Sequence, residues 1–390
     1  MYYVFFIKKE AKGKSKLHYR IQERKRAPQK LDVIHLVYFI FFHFAGIPYQ
    51  KKLYQRKTSM KNIVDISETM IYQTFPKVLE TLLKDHTTQR SIFWATESYA
   101  FRGDGYHFFD LITPEKIIGK NGLIIRPRSV KTKEEQAGRT KDMAEVFTPS
   151  WVCNAQNNLV DEAWFGRRNV FNIEYPEEKQ WKSTQAPIAF PEGRTWKDYV
   201  RATRMEITCG ESPYLVSRYD TTTGAFIPLR ERIGLLDRKL RVISENTETS
   251  GEWLAMAQEA YKNTYAYEWQ GDNLLLAREA LLMSFIEYYE AKFRKLPVGK
   301  SIAYIAYIIS WNVWQMDGLK GVVPQSCRNH HKSTEKTLFG KSEIIENCDG
   351  CRQDDIKRHN GTYCLIRDWG SRDPKTGENN RKIRFVDLIQ

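Results

Sequence analysis

The feature that most constrains the fold is an alternation of extended and helical segments that begins near residue 204. Extended patterns are predicted at 266–269 and 312–315, and helical patterns at 250–263 and 274–293. The helical segments repeat apolar residues at helical spacing, whereas the extended segments are short and rich in apolar residues. Strands that alternate with helices of this length predict a mostly parallel sheet. We therefore predict an α/β fold for this part of the chain.

The composition fits a globular protein whose positive charge is unevenly placed. A chain of 390 residues can form one large domain or two smaller ones. Its formal charge is +14, but basic residues exceed acidic ones by 11 within 1–59 and by only three in the remainder. Affinity for DNA therefore has to come from a local basic patch. The six cysteines show no disulfide framework, which favours a reducing, cytoplasmic location.

The first 59 residues combine basic clusters with an apolar run at 33–47. This run has 15 residues, fewer than the about 20 that a membrane-spanning helix needs, so we expect no stable membrane association. The segment 1–59 is a basic DNA-binding arm, a membrane-surface anchor or a non-native extension before a natural start at Met60. We favour the non-native extension, because excluding such segments from fold reasoning is the safer default.

Residues 60–148 are predicted to form an N-terminal helical and strand region. Apolar residues at helical spacing indicate a helix at 65–85 that is kinked at Pro76. Two short strands are expected at 91–100 and 106–112, on either side of a glycine-containing turn.

Three other segments complete the organisation of the chain. The charged segment 131–141 is predicted to be a solvated linker, and the Pro-, Glu- and Trp-rich segment 169–196 an irregular insertion. Between them, Ser150 is expected to cap a helix at 150–164. Residues 366–390 are predicted to be a polar tail that ends in a strand.

Polar residues follow the first two predicted strands, the one near 204 and the one at 266–269. Open parallel sheets bind nucleotides at such strand ends. Segment 206–215 places Glu206, Cys209 and Gly210 near the first turn, and a glycine there lets the backbone approach a ligand closely. Glu268 ends the second strand, where a carboxylate can accept both hydroxyl protons of a ribose. Taken alone, the first segment favours an ordinary turn that contains Gly210 over a cofactor loop.

Three further features extend this pattern. Asp272 and Asn273 stand at the start of the long predicted helix, where they also suit plain helix capping. Asp317 follows the third strand, and Thr148 with Pro149 marks a helix start ahead of the sheet. The amino terminus of that helix favours a carboxylate through the helix dipole.

In order and context, these segments resemble those of DNA adenine-N6 methyltransferases from bacterial restriction–modification systems. The similarity covers 140–320 well and the tail loosely. It departs from the family at Ile207 and at Ser212-Pro213, where proline and a second glycine are usual. The resemblance implies a Rossmann-like methyltransferase sheet, partial or truncated, that binds S-adenosylmethionine within 149–325. The implied cofactor-binding residues are Thr148, Pro149, Glu206, Cys209, Gly210, Glu268, Asp272, Asn273 and Asp317.

The catalytic Asn-Pro-Pro-Tyr segment of that family is missing, because the chain contains no Pro-Pro dipeptide. In the family this segment binds an adenine that is flipped from the duplex, so we assign no catalytic residue. The resemblance implies a modification subunit that is truncated or inactive alone and that acts on double-stranded DNA. A separate catalytic or restriction subunit would be its protein partner.

A separate pattern lies in the Cys/His-rich segment 326–365. A Cys-x2-Cys pair with two further ligands can close a tetrahedral zinc site. The candidate ligands are Cys327, Cys348, Cys351 and His359, with Cys364 as the alternative to His359. Reduced cysteines that bind no metal are the competing interpretation.

Two functional hypotheses follow. The leading one is an S-adenosylmethionine-dependent adenine-N6 methyltransferase-type modification subunit. The alternative is a non-catalytic, zinc-clipped DNA-binding or scaffold subunit on a degenerate methyltransferase fold. The order of the segments favours the first, whereas the missing catalytic segment and Ser212-Pro213 favour the second.

Overall fold

The computed structural model describes residues 4–12, 16–22, 67–337, 340–374, 376–377 and 379–389. The predictions for 23–59, including the apolar run at 33–47, lie outside these residues. Within the described part of the chain, no helix has the length and apolar character that crossing a membrane requires.

The described part of the chain begins with an antiparallel hairpin. This hairpin consists of β1 (Val4–Lys12) and β2 (Lys16–Gln22). β1 also pairs antiparallel with a strand of the central sheet, and Val4 lies opposite Glu206. Part of segment 1–59 therefore adds two strands to the sheet.

Residues 67–146 form short helices that are joined by irregular segments. These helices are α1 (Glu68–Thr74), α2 (Pro76–Leu83), α3 (Pro114–Ile117) and α4 (Lys133–Met143). The predicted helix at 65–85 is divided into α1 and α2, because Pro76 has no amide proton to continue the helical hydrogen bonds. The prediction of two strands at 91–100 and 106–112 is wrong, because the structure has isolated β-bridges there, such as the bridge between Phe93 and Leu111.

The segment predicted as a solvated linker, 131–141, is mostly helix. Thr132 and Glu135 form a capping box, in which each side chain accepts a hydrogen bond from the other residue's backbone amide. The helix is strongly polar, and its buried residue is Arg139. The linker prediction is therefore wrong, because this helix is held by a buried charge and not by an apolar face.

The helix predicted at 150–164 is confirmed as α5 (Ser150–Phe165), although Pro149 and not Ser150 occupies the N-cap. The irregular insertion predicted at 169–196 is wrong in part, because it contains an antiparallel hairpin. That hairpin and the helix after it are β3 (Asn172–Tyr175), β4 (Gln180–Ser183) and α6 (Trp196–Arg201).

Three parallel strands with intervening helices form the centre of the molecule. In chain order the elements are β5 (Arg204–Ile207), α7 (Leu235–Asn246), α8 (Ser250–Lys262), β6 (Thr264–Glu268), α9 (Gly271–Phe293), α10 (Gly299–Asn312) and β7 (Val313–Gln315). β6 pairs parallel with both β5 and β7, and the full sheet has the order β2-β1-β5-β6-β7. The prediction of a parallel α/β arrangement is confirmed.

The C-terminal part consists of short elements. They are the hairpin of β8 (His330–Thr337) and β9 (Gly340–Glu346), helix α11 (Asp349–Gln353), and the hairpin of β10 (Leu365–Arg367) and β11 (Lys382–Arg384). Short 3₁₀ helices occur at Ala100–Arg102, Gly119–Asn121, Arg128–Val130, Leu229–Glu231 and Phe385–Leu388.

The two faces of the central sheet are covered by different layers. Successive side chains of a strand point to opposite faces, so Ala266 packs in the large helical core whereas Tyr267 packs in a second cluster. The second cluster includes Ile366 and Ile383 from the β10–β11 hairpin. Both faces of the sheet are thus covered by apolar side chains. Polar groups are placed instead at the carboxyl ends of the strands.

Candidate cofactor and metal sites

The carboxyl ends of β5, β6 and β7 meet at one edge of the sheet, which we call the carboxyl edge. Backbone hydrogen bonds continue across this edge beyond the strands. The Cys209 amide donates to the Tyr267 carbonyl over 2.9 Å, and the Met316 amide donates to the Glu268 carbonyl over 3.0 Å. The parallel pairing thus brings the segments of Glu206, Glu268 and Asp317, which are 62 and 49 residues apart in sequence, into one row.

Glu268 lies at the centre of the carboxyl edge. Its carboxylate accepts hydrogen bonds from the amides of Gly210, over 2.8 Å, and Gln270, over 3.3 Å. Burial raises the pKa of Glu268 to about 7, although the two amide hydrogen bonds lower it. The structure therefore joins Glu268 to the Gly210 turn, as the sequence pattern indicates, and the turn already uses part of its acceptor capacity.

Glu206 is also buried, and it faces its own turn. Its two carboxylate oxygens accept hydrogen bonds from the amides of Tyr214 and Leu215, over 3.4 and 3.2 Å. Burial raises the pKa of Glu206 against these hydrogen bonds, and the nearby Glu268 raises it further. Glu206 thus stabilises the turn that contains Gly210.

The Gly210 turn contains several residues in the left-handed backbone region. Gly210 has a φ of 53°, and Thr208 and Ser212 have φ values of 47° and 59°. Non-glycine residues in this region cost about 1–3 kcal/mol each and often mark functional sites. A Cβ atom at Gly210 would lie 3.1 Å from the ring of Phe147, so the segment 145–149 packs directly on this turn.

Thr148 and Pro149 lie where helix α5 begins, close to the Gly210 turn. The carbonyl of Thr148 accepts a hydrogen bond from the Thr221 hydroxyl over 3.2 Å. The Ser150 amide donates to the Asp220 carboxylate over 2.6 Å. The carboxylate expected at this helix terminus is therefore supplied by the chain itself.

Asp272 and Asn273, at the start of α9, belong to a buried network that is centred on Arg139. The guanidinium of Arg139 lies 2.9 Å from Asp272 through Nη1, donates to Glu145 over 2.7 Å through Nε, and contacts Gln270. Asn273 donates to the same Glu145 oxygen over 3.0 Å. Helix α4 and the 145–149 segment are thereby fixed to the carboxyl edge by charge-assisted hydrogen bonds.

Two further groups complete the environment of Asp272. The Tyr99 hydroxyl donates to its carboxylate over 2.8 Å, and the buried Lys131 ammonium lies 3.8 Å away. Burial alone would raise the pKa of Asp272, but Arg139 and Lys131 hold it below its usual range. Arg139, Lys131 and Tyr99 were missed by the sequence analysis. The pair Thr132 and Glu135 was the available signal, because it marks the start of a helix and not a linker.

Asp317 follows β7 in a tight turn at the third position of the carboxyl edge. Its amide donates to the Val322 carbonyl over 2.8 Å, and its carboxylate accepts from the Leu319 amide over 3.1 Å. A Cβ atom at Gly318 would lie 2.5 Å from the Tyr267 ring, so the turn requires glycine. The Lys320 ammonium lies 3.7 Å from the Asp317 carboxylate.

Four side chains from the Cys/His-rich segment converge on one point, and we call them the metal cluster. Their ligand atoms all lie within 4.8 Å of one another, and His359 Nδ1 lies 3.6 Å from each of the three sulfurs. The members are Cys327, Cys348, Cys351 and His359. In a tetrahedral site with usual zinc–sulfur and zinc–nitrogen distances, nitrogen and sulfur are about 3.6 Å apart. The metal cluster could therefore bind a metal ion such as zinc.

Local structure explains why these four residues meet. A Cβ atom at Gly350 would lie 2.6 Å from the His359 backbone nitrogen, and one at Gly361 would lie 3.1 Å from the Cys327 sulfur. Two glycines thus permit the close approach of the ligand-bearing segments. Cys364, the alternative ligand, is instead buried in the second core and donates to the Gln315 carbonyl.

The thiols of the metal cluster have unequal proton affinities. Burial and the neighbouring Cys348 and Cys351 together raise the pKa of the Cys327 thiol to about 12. Desolvation also raises the pKa of Cys348, but hydrogen bonds with the backbone of Asn360 and Cys351 and with the side chains of His359 and Cys351 outweigh it and bring this pKa to about 6. A thiolate is the form that binds metal.

Comparison of the chain with models of protein families, with curated proteins and with solved structures found no match in any of the three. The residues at the carboxyl edge and in the metal cluster are therefore the basis for any assignment of function.

Proposed function

We propose that this chain is the cofactor-binding part of an S-adenosylmethionine-dependent DNA adenine-N6 methyltransferase-type modification subunit, with a Rossmann-like sheet. The observation that carries the proposal is the position of Glu268, buried at the end of the central strand and hydrogen-bonded to the glycine turn of the strand beside it. In open parallel sheets this is where a ribose binds.

The donor and acceptor chemistry of the carboxyl edge fits an adenosine group. Glu268 would accept the ribose hydroxyl protons, and Asp317, 4% exposed at the end of the neighbouring strand, would accept from the adenine amino group. Gly210 leaves room for close approach of the ligand to the backbone. Since the Phe147 ring covers Gly210, a ligand that enters from this side has to displace Phe147.

The chain contains no Asn-Pro-Pro-Tyr segment, so the groups that hold the target adenine would come from another chain or segment. The bound cofactor would supply the methyl group, and transfer depends on proximity and orientation of the two reactants. The role of this chain in the reaction is then to bind and orient the cofactor. Double-stranded DNA and a separate catalytic or restriction subunit are its proposed partners.

Binding of S-adenosylmethionine tests this proposal through thermal unfolding. At 100 times its dissociation constant, a ligand stabilises the folded state by about 2.7 kcal/mol, which raises the melting temperature. We expect Asp317→Ala to weaken cofactor binding and so to reduce this shift, and Glu80→Gln, an exposed acid on α2, to retain it. A wild-type protein whose melting temperature does not respond to the cofactor contradicts the proposal.

The second candidate is a zinc-clipped DNA-binding or scaffold subunit, and the geometry of the metal cluster favours it. We propose that the metal cluster binds one structural zinc ion, and this proposal stands whether or not the chain binds S-adenosylmethionine. Metal analysis after purification without chelators should give one zinc per chain. DNA binding of the zinc-loaded protein in the absence of S-adenosylmethionine, combined with no binding of S-adenosylmethionine itself, would favour this candidate over the first.

A further inference from the structure

The turn that carries Asp317 and the metal cluster belong to one short stretch of chain. Ten residues separate Asp317 from the ligand Cys327. A second stretch, 359–364, runs beside the first and begins with the ligand His359. We call the two stretches, 317–328 and 359–364, the two arms.

Hydrogen bonds connect the two arms along their whole length. At the end near Asp317, the Cys364 amide donates to the Gly321 carbonyl over 3.0 Å, and the Val323 amide donates to the Thr362 carbonyl over 2.8 Å. At the other end, the side chain of Asn360 accepts from the Arg328 amide over 2.9 Å and donates to its carbonyl over 2.8 Å. The two arms therefore form one hydrogen-bonded unit between Asp317 and the metal cluster.

His359 is connected to the same hydrogen-bonded unit. Its amide donates to the Tyr363 hydroxyl over 2.8 Å, and this hydroxyl donates to the Ile356 carbonyl over 3.1 Å. Val322 bridges both Asp317 and Tyr363. A displacement of His359 therefore alters the two arms, which position the Asp317 turn.

Little apolar packing holds the cluster end of the arms. Among the described side chains of 325–329 and 347–358, Cys348 is the one apolar side chain in the buried core. Leu319, in the turn itself, is 87% exposed. A segment with so little core usually depends on a metal for its order, because binding of the metal supplies the free energy of folding.

Lys320 provides a second connection between the two sites. Its ammonium lies 3.7 Å from the Asp317 carboxylate, and Lys320 lines the same cavity as Cys351 and His359. The residue that pairs with Asp317 thus lies beside the metal cluster.

We propose that a metal ion in the metal cluster positions Asp317, so that the affinity of the carboxyl edge for S-adenosylmethionine depends on metal occupancy. This inference rests on the proposed function of the carboxyl edge. The metal holds the two arms together, the arms hold the Asp317 turn, and the turn presents the carboxylate to the ligand. Asp317 is therefore the residue through which the metal acts, whereas Glu268, on β6, is held by Gly210 and Gln270 independently of the arms.

A thermodynamic cycle on the full chain separates this coupling from a general effect on folding. Affinity for S-adenosylmethionine is measured by calorimetry with zinc-loaded protein and with protein stripped by a chelator, for the wild type, Asp317→Ala and Glu268→Gln. Couplings between sites are typically 5–150-fold, and we expect zinc removal to weaken wild-type binding within this range. In Asp317→Ala, zinc removal should weaken the binding of S-adenosylmethionine by less than about twofold, because the residue that transmits the effect is absent. Glu268→Gln should bind S-adenosylmethionine more weakly than the wild type does, and zinc removal should weaken its binding by the same factor as in the wild type.

The outcomes distinguish the two proposals. No binding by the zinc-loaded wild type overturns the proposed function and this inference with it. Equal binding with and without zinc leaves the proposed function intact and overturns the inference. A loss in Asp317→Ala as large as that in the wild type shows that zinc acts on the fold in general, and this also overturns the inference. Zinc affinity, measured by chelator competition, should rise on addition of S-adenosylmethionine by the same factor.

Discussion

The carboxyl edge and the metal cluster are both polar sites, but they differ in what satisfies their polar groups. At the carboxyl edge the chain supplies the partners itself, since Glu268 accepts two backbone amides and Asp272 is paired with Arg139. In the metal cluster, one imidazole nitrogen lies 3.6 Å from each of three sulfurs, which is a weak contact for neutral groups. A site of the first kind is stable before its ligand binds, whereas a site of the second kind needs its ligand for stability.

The comparison predicts that losing a metal ligand has the largest effect. Cys348→Ser should abolish stoichiometric zinc binding and lower the melting temperature, because structural zinc contributes on the order of 10 kcal/mol to sites of this kind. Metal analysis and calorimetric unfolding of the full chain measure both quantities. Cys153→Ser, a change of a buried cysteine outside the metal cluster, should retain zinc. Equal zinc content in Cys348→Ser and wild type would remove the distinction between the two sites.

At the carboxyl edge, removal of an internal partner should be the damaging change. Arg139→Ala removes the guanidinium shared by the buried Asp272 and Glu145, and leaves these carboxylates with the more distant Lys131 and Arg128. Loss of one partner of a buried ion pair costs about 3–5 kcal/mol. The free energy of unfolding in urea measures the effect. Arg168→Ala, which breaks an ion pair whose arginine is 78% exposed, should cost less than about 1 kcal/mol. Similar costs for the two variants would mean that the Arg139 network is not a stabilising element.

The smallest expected effect concerns pH and Glu268. The folded protein holds the Glu268 proton up to about pH 7, whereas a free glutamic acid releases it near pH 4.5. Between these values the folded state binds more protons, so its stability falls as pH rises, by at most about 1.4 kcal/mol per pH unit from this group. Glu268→Gln should reduce that slope.

Urea unfolding at pH 5 and pH 7 measures the slope for the wild type, Glu268→Gln and the exposed control Glu80→Gln. Glu68, whose pKa burial also raises to about 7, contributes equally in all three proteins. The difference between the wild type and Glu268→Gln therefore measures Glu268 together with its effect on Glu206, whose pKa it raises. Identical slopes would show that the carboxyl edge does not hold this proton.

The sequence predicted the parts of the fold that have strong local signals. The parallel strands and long helices between 204 and 315 were predicted from apolar periodicity, and the four metal-cluster residues from Cys-x2-Cys spacing. The structure places His359, and not Cys364, beside the other three cysteines. These features are visible in sequence because each depends on neighbouring residues.

The sequence analysis failed where a segment is held by distant partners. Residues 131–141 were predicted as a linker because they are charged, yet Arg139 is buried against Asp272, 133 residues away. A charge pattern alone cannot show such a pairing, since exposed and buried arginines look alike in sequence. The helix terminus at Ser150 is a similar case, because Asp220 caps it from 70 residues away.

By itself, then, the sequence determined the candidate site residues: acidic groups after successive strands, a glycine turn, and three cysteines with a histidine. The tertiary structure decided which of these groups are free and which are paired. It placed Glu206 on its own turn, gave Asp272 to Arg139, and connected Asp317 to the metal cluster through the two arms. The physical reason is that residue type and spacing are local, whereas burial and pairing depend on which distant segments the fold brings into contact.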